Sequence, residues 1–273
     1  MLKRSLPVIL SLLLSTQLLA ADEIETSTEH LAKQLQNPVA TLVSVPFQNN
    51  FEYGLGAAEN GTRYTLKFQP VIPKPFNSDW NLVTRPIITY LNQQNVFGAT
   101  SQAGLGDAQL QLFFSPKAPR SDGLIWGIGP VFLLPLAGDP LLGTEKWGIG
   151  PSAVCLKQSG GWTTGILANH LWSVAGNSAR NNISLTYLQP FASHSSKMGT
   201  TFAFSSESSY SWLNGQTTIP LICGVSQILP IYGQLTSFGV SGIYHLQSPT
   251  NISKWGARAT ITLLFPHNNK GGN

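Results

Sequence analysis

Charged residues are scarce in this sequence. Asp, Glu, Lys and Arg together make up 10% of its 273 residues, whereas about 25% is usual for a water-soluble domain. Of the 16 basic residues, Lys3 and Arg4 lie at the very start, and the others nearly balance the 12 acidic residues. The remaining excess of about two positive charges is too small to indicate a nucleic-acid-binding protein.

Long apolar segments are also missing beyond the first twenty or so residues. No later stretch reaches the ~18 consecutive apolar residues of a membrane-spanning helix. A chain that is poor in charge but lacks apolar runs fits two all-β architectures. A β-sandwich tolerates this composition, and a transmembrane β-barrel requires it, because each strand needs one apolar face and no spanning helix is present.

Cysteine is scarce as well, with only Cys155 and Cys223. Neither has His or Cys partners at the spacing of a zinc site, so we expect no metal and no cofactor. In the strand assignment below, the two cysteines fall on strands that are not neighbours. We therefore predict two free, buried thiols rather than a disulfide.

The N-terminal segment predicts export. Lys3 and Arg4 precede an apolar run at residues 6–14, and Ala20 and Ala21 are small residues suited to cleavage. This is the pattern of a secretory signal peptide, which we assign to residues 1–21. The cleavage site stays open, because the small residue expected three positions before the cut is missing.

One helix is predicted after the signal peptide, over residues 24–37. Thr26 and Glu29 fit a capping box, and Pro38 follows the helix end. Residues 22–38 are then either a tether in the periplasm or a plug of the barrel.

Beyond Pro38 the hydrophobic period changes from 3.6 to 2 residues, which is typical of β-strands. Most candidate strands have 11–15 residues, whereas strands in soluble proteins average about 5–6 and spanning strands need about 9–11. Short turns alternate with mostly longer loops, as in bacterial outer-membrane barrels. We predict an all-β protein, a transmembrane antiparallel β-barrel of about 12 strands over residues 39–266, with a tail at 267–273. The predicted strands are 39–53, 62–74, 80–92, 104–116, 123–136, 145–157, 162–174, 182–194, 199–212, 216–229, 235–247 and 255–265.

Most tryptophans lie at the ends of predicted strands. An aromatic ring with a polar N–H favours the headgroup level of a membrane, so barrels collect tryptophan at both rims. Core tryptophans would not sort to strand ends, and the pattern therefore supports the barrel. Those that open strands are Trp80, Trp147, Trp162 and Trp255, and those that close them are Trp172 and Trp212.

Six of the predicted strands contain a proline well inside their length. Proline cannot donate to a ladder, and a closed barrel has no edge strand to accommodate it, so we predict β-bulges at these positions. The bulges either shape the barrel or open a gap in its wall through which an apolar ligand leaves sideways. The residues are Pro70, Pro86, Pro130, Pro151, Pro190 and Pro220.

Several motifs together resemble a known family. They are "LAKQLQNPVATLVSVPFQNN", "NGTRYTLKFQPVIP", "LGDAQLQLFFSPK", "WGIGPVFLLP", "LGTEKWGIGPSAVCLKQSGGWTTGILANHLWSVAG" and "LTYLQPF". They resemble a group of Gram-negative outer-membrane proteins catalogued as transporters, sometimes under the misapplied name neuromedin U. That group is similar to outer-membrane proteins of meta-pathway phenol degradation. Over about residues 31–265, the resemblance implies a barrel that passes small molecules, and it supplies no catalytic residues.

The location of such a protein would be the outer membrane, where lipids surround it. The barrel assembly machinery is a further expected partner, because Phe265 ends the last apolar alternation like an assembly signal. The residues "PHNNKGGN" that follow Phe265 depart from the usual ending of outer-membrane proteins.

The lumen is where function is expected. Charges inside a barrel tune what passes, and a modest basic excess favours anionic or polar aromatic solutes. The alternative is that these charges pair with one another and brace the interior. The predicted lumen residues are Arg63, Lys67, Gln69, Arg85, Asp107, Gln109, Gln111, Lys146, Glu207, His245 and Arg258.

The predicted function is passage of small molecules, including hydrophobic or aromatic ones, and no enzymatic activity is expected. One alternative is a structural barrel that only presents its loops. Another is a lipid hydrolase using a serine and a histidine on the outer face. The candidate pairs for hydrolysis are His194 with Ser196 and His170 with Ser173.

Overall fold

The computed structural model describes residues 28–249 and 254–266. The predicted signal peptide, Thr26 of the capping box and the C-terminal tail lie outside these residues. No helix among the described residues is long and apolar enough to cross a membrane.

Fifteen strand segments form one antiparallel sheet that closes on itself. β1 pairs with β15, and β9 pairs with β10, so no free edge remains. Three strands are interrupted and consist of two segments each, namely β2 with β3, β5 with β6, and β11 with β12. The sheet is therefore a closed barrel of twelve strands, and the predicted fold is confirmed. The segments are β1 (Val43–Leu55), β2 (Gly61–Phe68), β3 (Ile72–Pro75), β4 (Trp80–Gln94), β5 (Ser101–Leu105), β6 (Ala108–Pro116), β7 (Leu124–Leu134), β8 (Lys146–Ser159), β9 (Trp162–Gly176), β10 (Ser184–Ser195), β11 (Thr200–Ser205), β12 (Ser208–Ser211), β13 (Thr217–Ile231), β14 (Gln234–Gln247) and β15 (Trp255–Phe265).

Side chains alternate between the two faces of the barrel wall, as a period of 2 requires. In β14, Phe238, Val240 and Leu246 point outward and are 40%, 60% and 62% exposed. Their neighbours Ser237 and Ile243 point inward and are buried. An apolar outer surface of this kind is stable only in contact with other apolar material, which for a closed barrel is lipid.

Tryptophans mark both ends of the wall. At the end with short turns, Trp80 and Trp126 pack edge to face with ring centroids 5.5 Å apart. At the end with long loops, Trp172 packs on His170 and Trp255 packs on Tyr244. Two aromatic girdles are what a barrel in a bilayer needs.

The helix and the chain that follows it fill the short-turn end. Residues 28–35 are helical, and Ala32 is 1% exposed in a cluster with Leu42 and Leu264. Val39 packs deeper, in the apolar cluster around Phe113. We call residues 28–42 the plug segment, since they lie inside the end of the barrel and do not form a tether outside it.

The prediction for the cysteines was half right. Both thiols are free, and they lie on β8 and β13, which are not neighbours. Their predicted burial was wrong, because Cys223 is exposed and Cys155 is half-buried. The inward positions next to Cys223 are taken by Ile222 and Gly224, so the alternation turns Cys223 outward.

Candidate transport path

A polar cavity of about 280 Å³ lies at the centre of the barrel. We call it the central cavity. Eight of the eleven predicted lumen residues line its wall. They come from strands β2, β4, β6 and β15 and from the breaks between β2 and β3, β5 and β6, and β11 and β12. They are Lys67, Gln69, Arg85, Asp107, Gln109, Gln111, Glu207 and Arg258.

Three predicted lumen residues lie outside this cavity. Arg63 donates from Nε to Oε1 of Gln93 at 2.9 Å. Lys146 donates from Nζ to Oδ1 of Asn182 at 3.1 Å, at the long-loop end. His245 is on β14, and its Nδ1 is buried without a hydrogen-bond partner among the described residues. These side chains belong to the upper part of the barrel, because their strand positions lie close to the long loops.

Glu207 is the centre of an ion-pair network inside the barrel. Its Oε1 accepts a hydrogen bond from Nη1 of Arg258 at 2.7 Å, and its Oε2 accepts one from Nζ of Lys67 at 3.4 Å. Arg258 also donates from Nε to Oδ1 of Asn50 at 2.7 Å. The network ties β15, β2 and the β11–β12 break together, so part of the lumen charge does brace the interior.

Arg85 stands apart from this network. Its guanidinium makes one long bond, from Nη1 to Oε1 of Gln111 at 3.4 Å. Its Nε is buried and has no hydrogen-bond partner among the described residues. It forms no ion pair with a described carboxylate, whereas Lys67 and Arg258 share Glu207.

The sequence did not identify several residues of the central cavity. Tyr187 and Gln189 line it, and Tyr187 donates its hydroxyl hydrogen to Oε1 of Gln189 at 3.2 Å. They were missed because the alternation of β10 is hard to read next to Pro190. Asn169 also lines the cavity.

A second cavity of about 440 Å³ lies above the first, towards the long loops. The two share Asp107, Gln109 and Leu171. Loop residues 135–145, which we call the lid loop, fold over this upper cavity and bury Leu142. Its remaining walls include Leu91 and Leu133, so the upper cavity is more apolar than the central one.

Polar bonds hold the lid loop in place. Oδ2 of Asp107 accepts hydrogen bonds from the backbone N of Thr144 at 2.7 Å and from its Oγ1 at 2.6 Å. Arg180, from the next long loop, donates to the carbonyl oxygens of Pro140 and Gly143 at 2.9 and 2.6 Å. The lid loop is therefore anchored both to the barrel wall and to a neighbouring loop.

A third cavity of about 280 Å³ lies below the central one, against the plug segment. Both are lined by Gln69, Arg85 and Arg258. The plug segment is fixed to the wall by hydrogen bonds from Nζ of Lys33 to the carbonyl of Gly160 at 3.0 Å and from Nε2 of Gln158 to the carbonyl of Lys33 at 2.8 Å. Three cavities thus follow one another along the barrel axis between the lid loop and the plug segment.

The wall itself is interrupted at the prolines. Pro151 on β8 is the register partner of Pro130 on β7, within a continuous ladder. Towards β9, pairing stops at Ile149 and resumes at Ser152. Pro130 is likewise paired towards β8, while its ladder to β6 is interrupted. Each of these two prolines is therefore paired with the neighbouring strand on one side. On the other side, where a backbone N–H would have donated to the neighbouring strand, the pairing is interrupted.

The predicted bulges were correct only in part. A register shift occurs at Pro220, between β13 and β14. Pro70 lies in the break between β2 and β3, opposite Pro86, and no residue is inserted there. The pairs on both sides of Pro130, Pro151 and Pro190 also keep the same register across the break. Most interruptions are therefore gaps without an extra residue, because loss of the N–H alone suffices to break the pairing.

Glycine allows the neighbouring strand to close over the gap beside Pro151. A Cβ on Gly150 would clash with the carbonyl oxygen of His170 on β9. A Cβ on Gly129, next to Pro130, would likewise clash with the carbonyl oxygen of Leu112 on β6. The wall is thus in close contact at these gaps but lacks the hydrogen bonds that hold it elsewhere.

An apolar groove of about 940 Å³ lies on the outer wall over these gaps. It begins near the short turns at Phe76 and Trp80 and reaches His170. Ser152 and Asn169, which are buried and point inward, also line it. Since Asn169 lines the central cavity as well, only its side chain and the gap beside it separate the groove from the lumen.

The candidate serine–histidine pairs are not brought together. Ser173 points inward and accepts a hydrogen bond from the backbone N of Ile183, whereas His170 points outward. Ser196 bonds within its own turn, and His194 packs on Trp162. Among the described residues no group of His, Cys, Asp or Glu is suited to hold a metal ion.

Comparison with known proteins supports the fold. The chain is similar to the crystal structure of the COG4313 outer membrane channel from Pseudomonas putida F1, with a TM-score of 0.63, 12% identity, and coverage of 82% of this chain and 94% of that one. The NanC porin matches with a TM-score of 0.48, 10% identity, and coverage of 82% and 100%. Outer membrane phospholipase A from Escherichia coli matches with a TM-score of 0.48 and 13% identity, and the match covers 88% of this chain and 98% of that one.

Neither a protein-family model nor a curated protein matches the chain. The family suggested by the sequence motifs therefore stays a prediction. At 12% identity, the structural match shows that this chain has the barrel fold of an outer-membrane channel.

Proposed function

We propose that the protein is an outer-membrane channel for small, largely apolar molecules, aromatic ones included. The long-loop end then faces outward and the short-turn end faces the periplasm, as in other bacterial barrels. Solutes enter under the lid loop, pass the upper cavity and reach the central cavity. The plug segment closes the way straight down, so an apolar solute leaves sideways through the gap beside Pro151 into the outer groove.

One observation carries this proposal: Asn169 lines both the central cavity and the outer groove, at a gap in the β8–β9 ladder. Pro151 removes a hydrogen bond there, and a backbone hydrogen bond contributes about 1 kcal/mol. Separating the strands of this part of the wall therefore requires the least free energy at the gap. A groove with mostly apolar walls outside it suits an apolar solute better than a hydrated one.

A staple beside the gap tests the exit and leaves Pro151 in place. Ala153 and Ala168 are register partners on β8 and β9 and both line the outer groove, so A153C/A168C can form a disulfide in a background that carries C155A and C223A. We expect cells producing the protein to take up labelled naphthalene faster than cells without it. The oxidised staple should abolish that gain, and a reductant should restore it.

The matched control is I128C/A153C. These two residues are register partners in the intact ladder of β7 and β8, beside the same groove. That staple should leave uptake unchanged. Equal uptake by the oxidised A153C/A168C protein would refute the lateral exit, and no gain in the unstapled protein would refute the channel.

A structural barrel without transport is the second candidate, since the plug segment and the lid loop cover both ends. It predicts neither naphthalene uptake nor current in planar bilayers. We propose passage without chemistry, because the hydroxyls of Ser173 and Ser196 are not joined to a histidine. Release of lysophospholipid by the purified protein would contradict that choice.

A further inference from the structure

We propose that Arg85 binds the carboxylate of amphipathic monoanions in the central cavity and so selects them over neutral molecules of the same shape. This rests on the proposed function, because it names the class of solute that the path accepts. The ligand is a molecule with one carboxylate head and an apolar body.

The charge balance of the central cavity supports this inference. Three cations and two carboxylates line it, which leaves an excess of one positive charge. Glu207 forms ion pairs with both Arg258 and Lys67, so a carboxylate contacts each of these two cations. Asp107, the other carboxylate, is engaged by Thr144 at the upper end of the cavity and forms no ion pair with Arg85. Among the described residues, Arg85 is therefore the cation of this cavity that has no carboxylate in contact.

Arg85 has unused hydrogen-bonding capacity. A guanidinium offers five N–H donors in a planar fork that matches a carboxylate. Arg85 uses one of them, in a 3.4 Å bond to Gln111, and its buried Nε has no partner among the described residues. A buried cation without a counter-charge is costly, and a bound anion removes that cost.

The surroundings determine which anion fits. Near Arg85 the cavity is lined by neutral amides, including Gln69, Gln111 and Gln189. Towards the lid loop it is lined by Leu171 and Leu185, which continue into the upper cavity. One free cation and neutral donors suit a monoanion, and an apolar upper wall suits a hydrocarbon or aromatic body above the carboxylate.

Binding to the purified, refolded protein in non-ionic detergent tests the inference without relying on transport. Benzoate and benzamide have nearly the same shape and differ in charge. Titration calorimetry should show benzoate binding roughly tenfold more tightly than benzamide, as expected for a charge-assisted hydrogen bond. The preference should disappear in Arg85→Gln and persist in Arg85→Lys.

Arg63→Gln is the matched control, because Arg63 is also a lumen cation but lies outside the central cavity and bonds to Gln93. It should keep the preference for benzoate. Equal affinity of the wild-type protein for the two ligands would overturn the inference even if Arg85→Gln failed to fold. So would an unchanged preference in folded Arg85→Gln. Naphthalene uptake is measured separately, so loss of the benzoate preference with normal uptake refutes this inference alone.

Discussion

The anchoring of the lid loop to Asp107 should control how often the outer end of the barrel opens. Thr144 donates two hydrogen bonds to the Asp107 carboxylate, one from its backbone and one from Oγ1 at 2.6 Å. Thr144→Val keeps the shape of the side chain and removes the hydroxyl bond to Asp107, together with the long bond of 3.4 Å that Oγ1 accepts from the backbone N of Lys146. A hydrogen bond to a charged group contributes about 1.5–3 kcal/mol. The ratio of open to closed lid should therefore rise roughly 10- to 150-fold.

Single-channel recording in planar bilayers measures this ratio as the open probability. Thr100→Val is the matched control, because Thr100 lies in another long loop and its Oγ1 donates to the carbonyl of Phe97 at 2.9 Å. It should leave the open probability unchanged. If Thr144→Val has the open probability of the wild-type protein, the Asp107 contact does not hold the lid and the reasoning is wrong.

Three further predictions concern the wall, the charge network and the plug segment. Gly150→Ala places a methyl group against the carbonyl oxygen of His170. The free energy of unfolding should therefore fall by about 1–3 kcal/mol, and the heat-induced gel shift should occur at a lower temperature. Glu207→Gln leaves Arg258 and Lys67 without a counter-charge and should cost about 3–5 kcal/mol in urea unfolding. Deletion of residues 28–38 removes most of the plug segment and should raise bilayer conductance several-fold, because the lower cavity would then open downward.

Two of these predictions have a control within the same chain. Gly242→Ala meets no atom within 4 Å of the new Cβ, so it should leave the gel shift unchanged. Asp122→Asn alters an exposed pair with Arg120 and should leave urea unfolding almost unchanged, because solvent screens exposed ion pairs. Unaltered conductance after the deletion would contradict the role given to the plug segment.

Local sequence pattern was sufficient for the strands and for the direction of most side chains. The period of 2 placed Lys67, Gln109 and Gln111 inside because polar and apolar residues alternate strictly around them. The same rule failed for Tyr187 and Gln189, where Pro190 disturbs the alternation. The predicted burial of Cys223 was wrong for a different reason, because it had been assumed from the residue type rather than from the position in the strand.

Long-range contacts could not be predicted from the sequence. Thr144 meets Asp107 across 37 residues, and Lys33 meets Gly160 across 127. No local pattern encodes such pairs, because they depend on how the loops and the plug segment pack against a barrel that has already closed. The lid loop was therefore not predicted, and the plug was one of two alternatives, although the barrel itself was predicted.

The arrangement of the gaps indicates which part of the wall moves. Pro130 and Pro151 face each other in the ladder between β7 and β8, which is continuous, while the ladders to β6 and β9 are both interrupted. The β7–β8 hairpin is thus held together internally and attached weakly on both sides. It should yield as a two-stranded unit, since separating its own strands would break about ten register pairs with their hydrogen bonds.

Hydrogen exchange of backbone amides distinguishes this motion from the peeling of a single strand. Amides that bond β7 to β8 should stay protected, whereas amides beside the gaps towards β6 and β9 should exchange faster. The β13–β14 pair, whose ladder has one shift, at Pro220, serves as the internal reference. Faster exchange within β7–β8 than at its borders would mean that the hairpin itself separates, and the exit beside Pro151 would then have to form by a different movement of the wall.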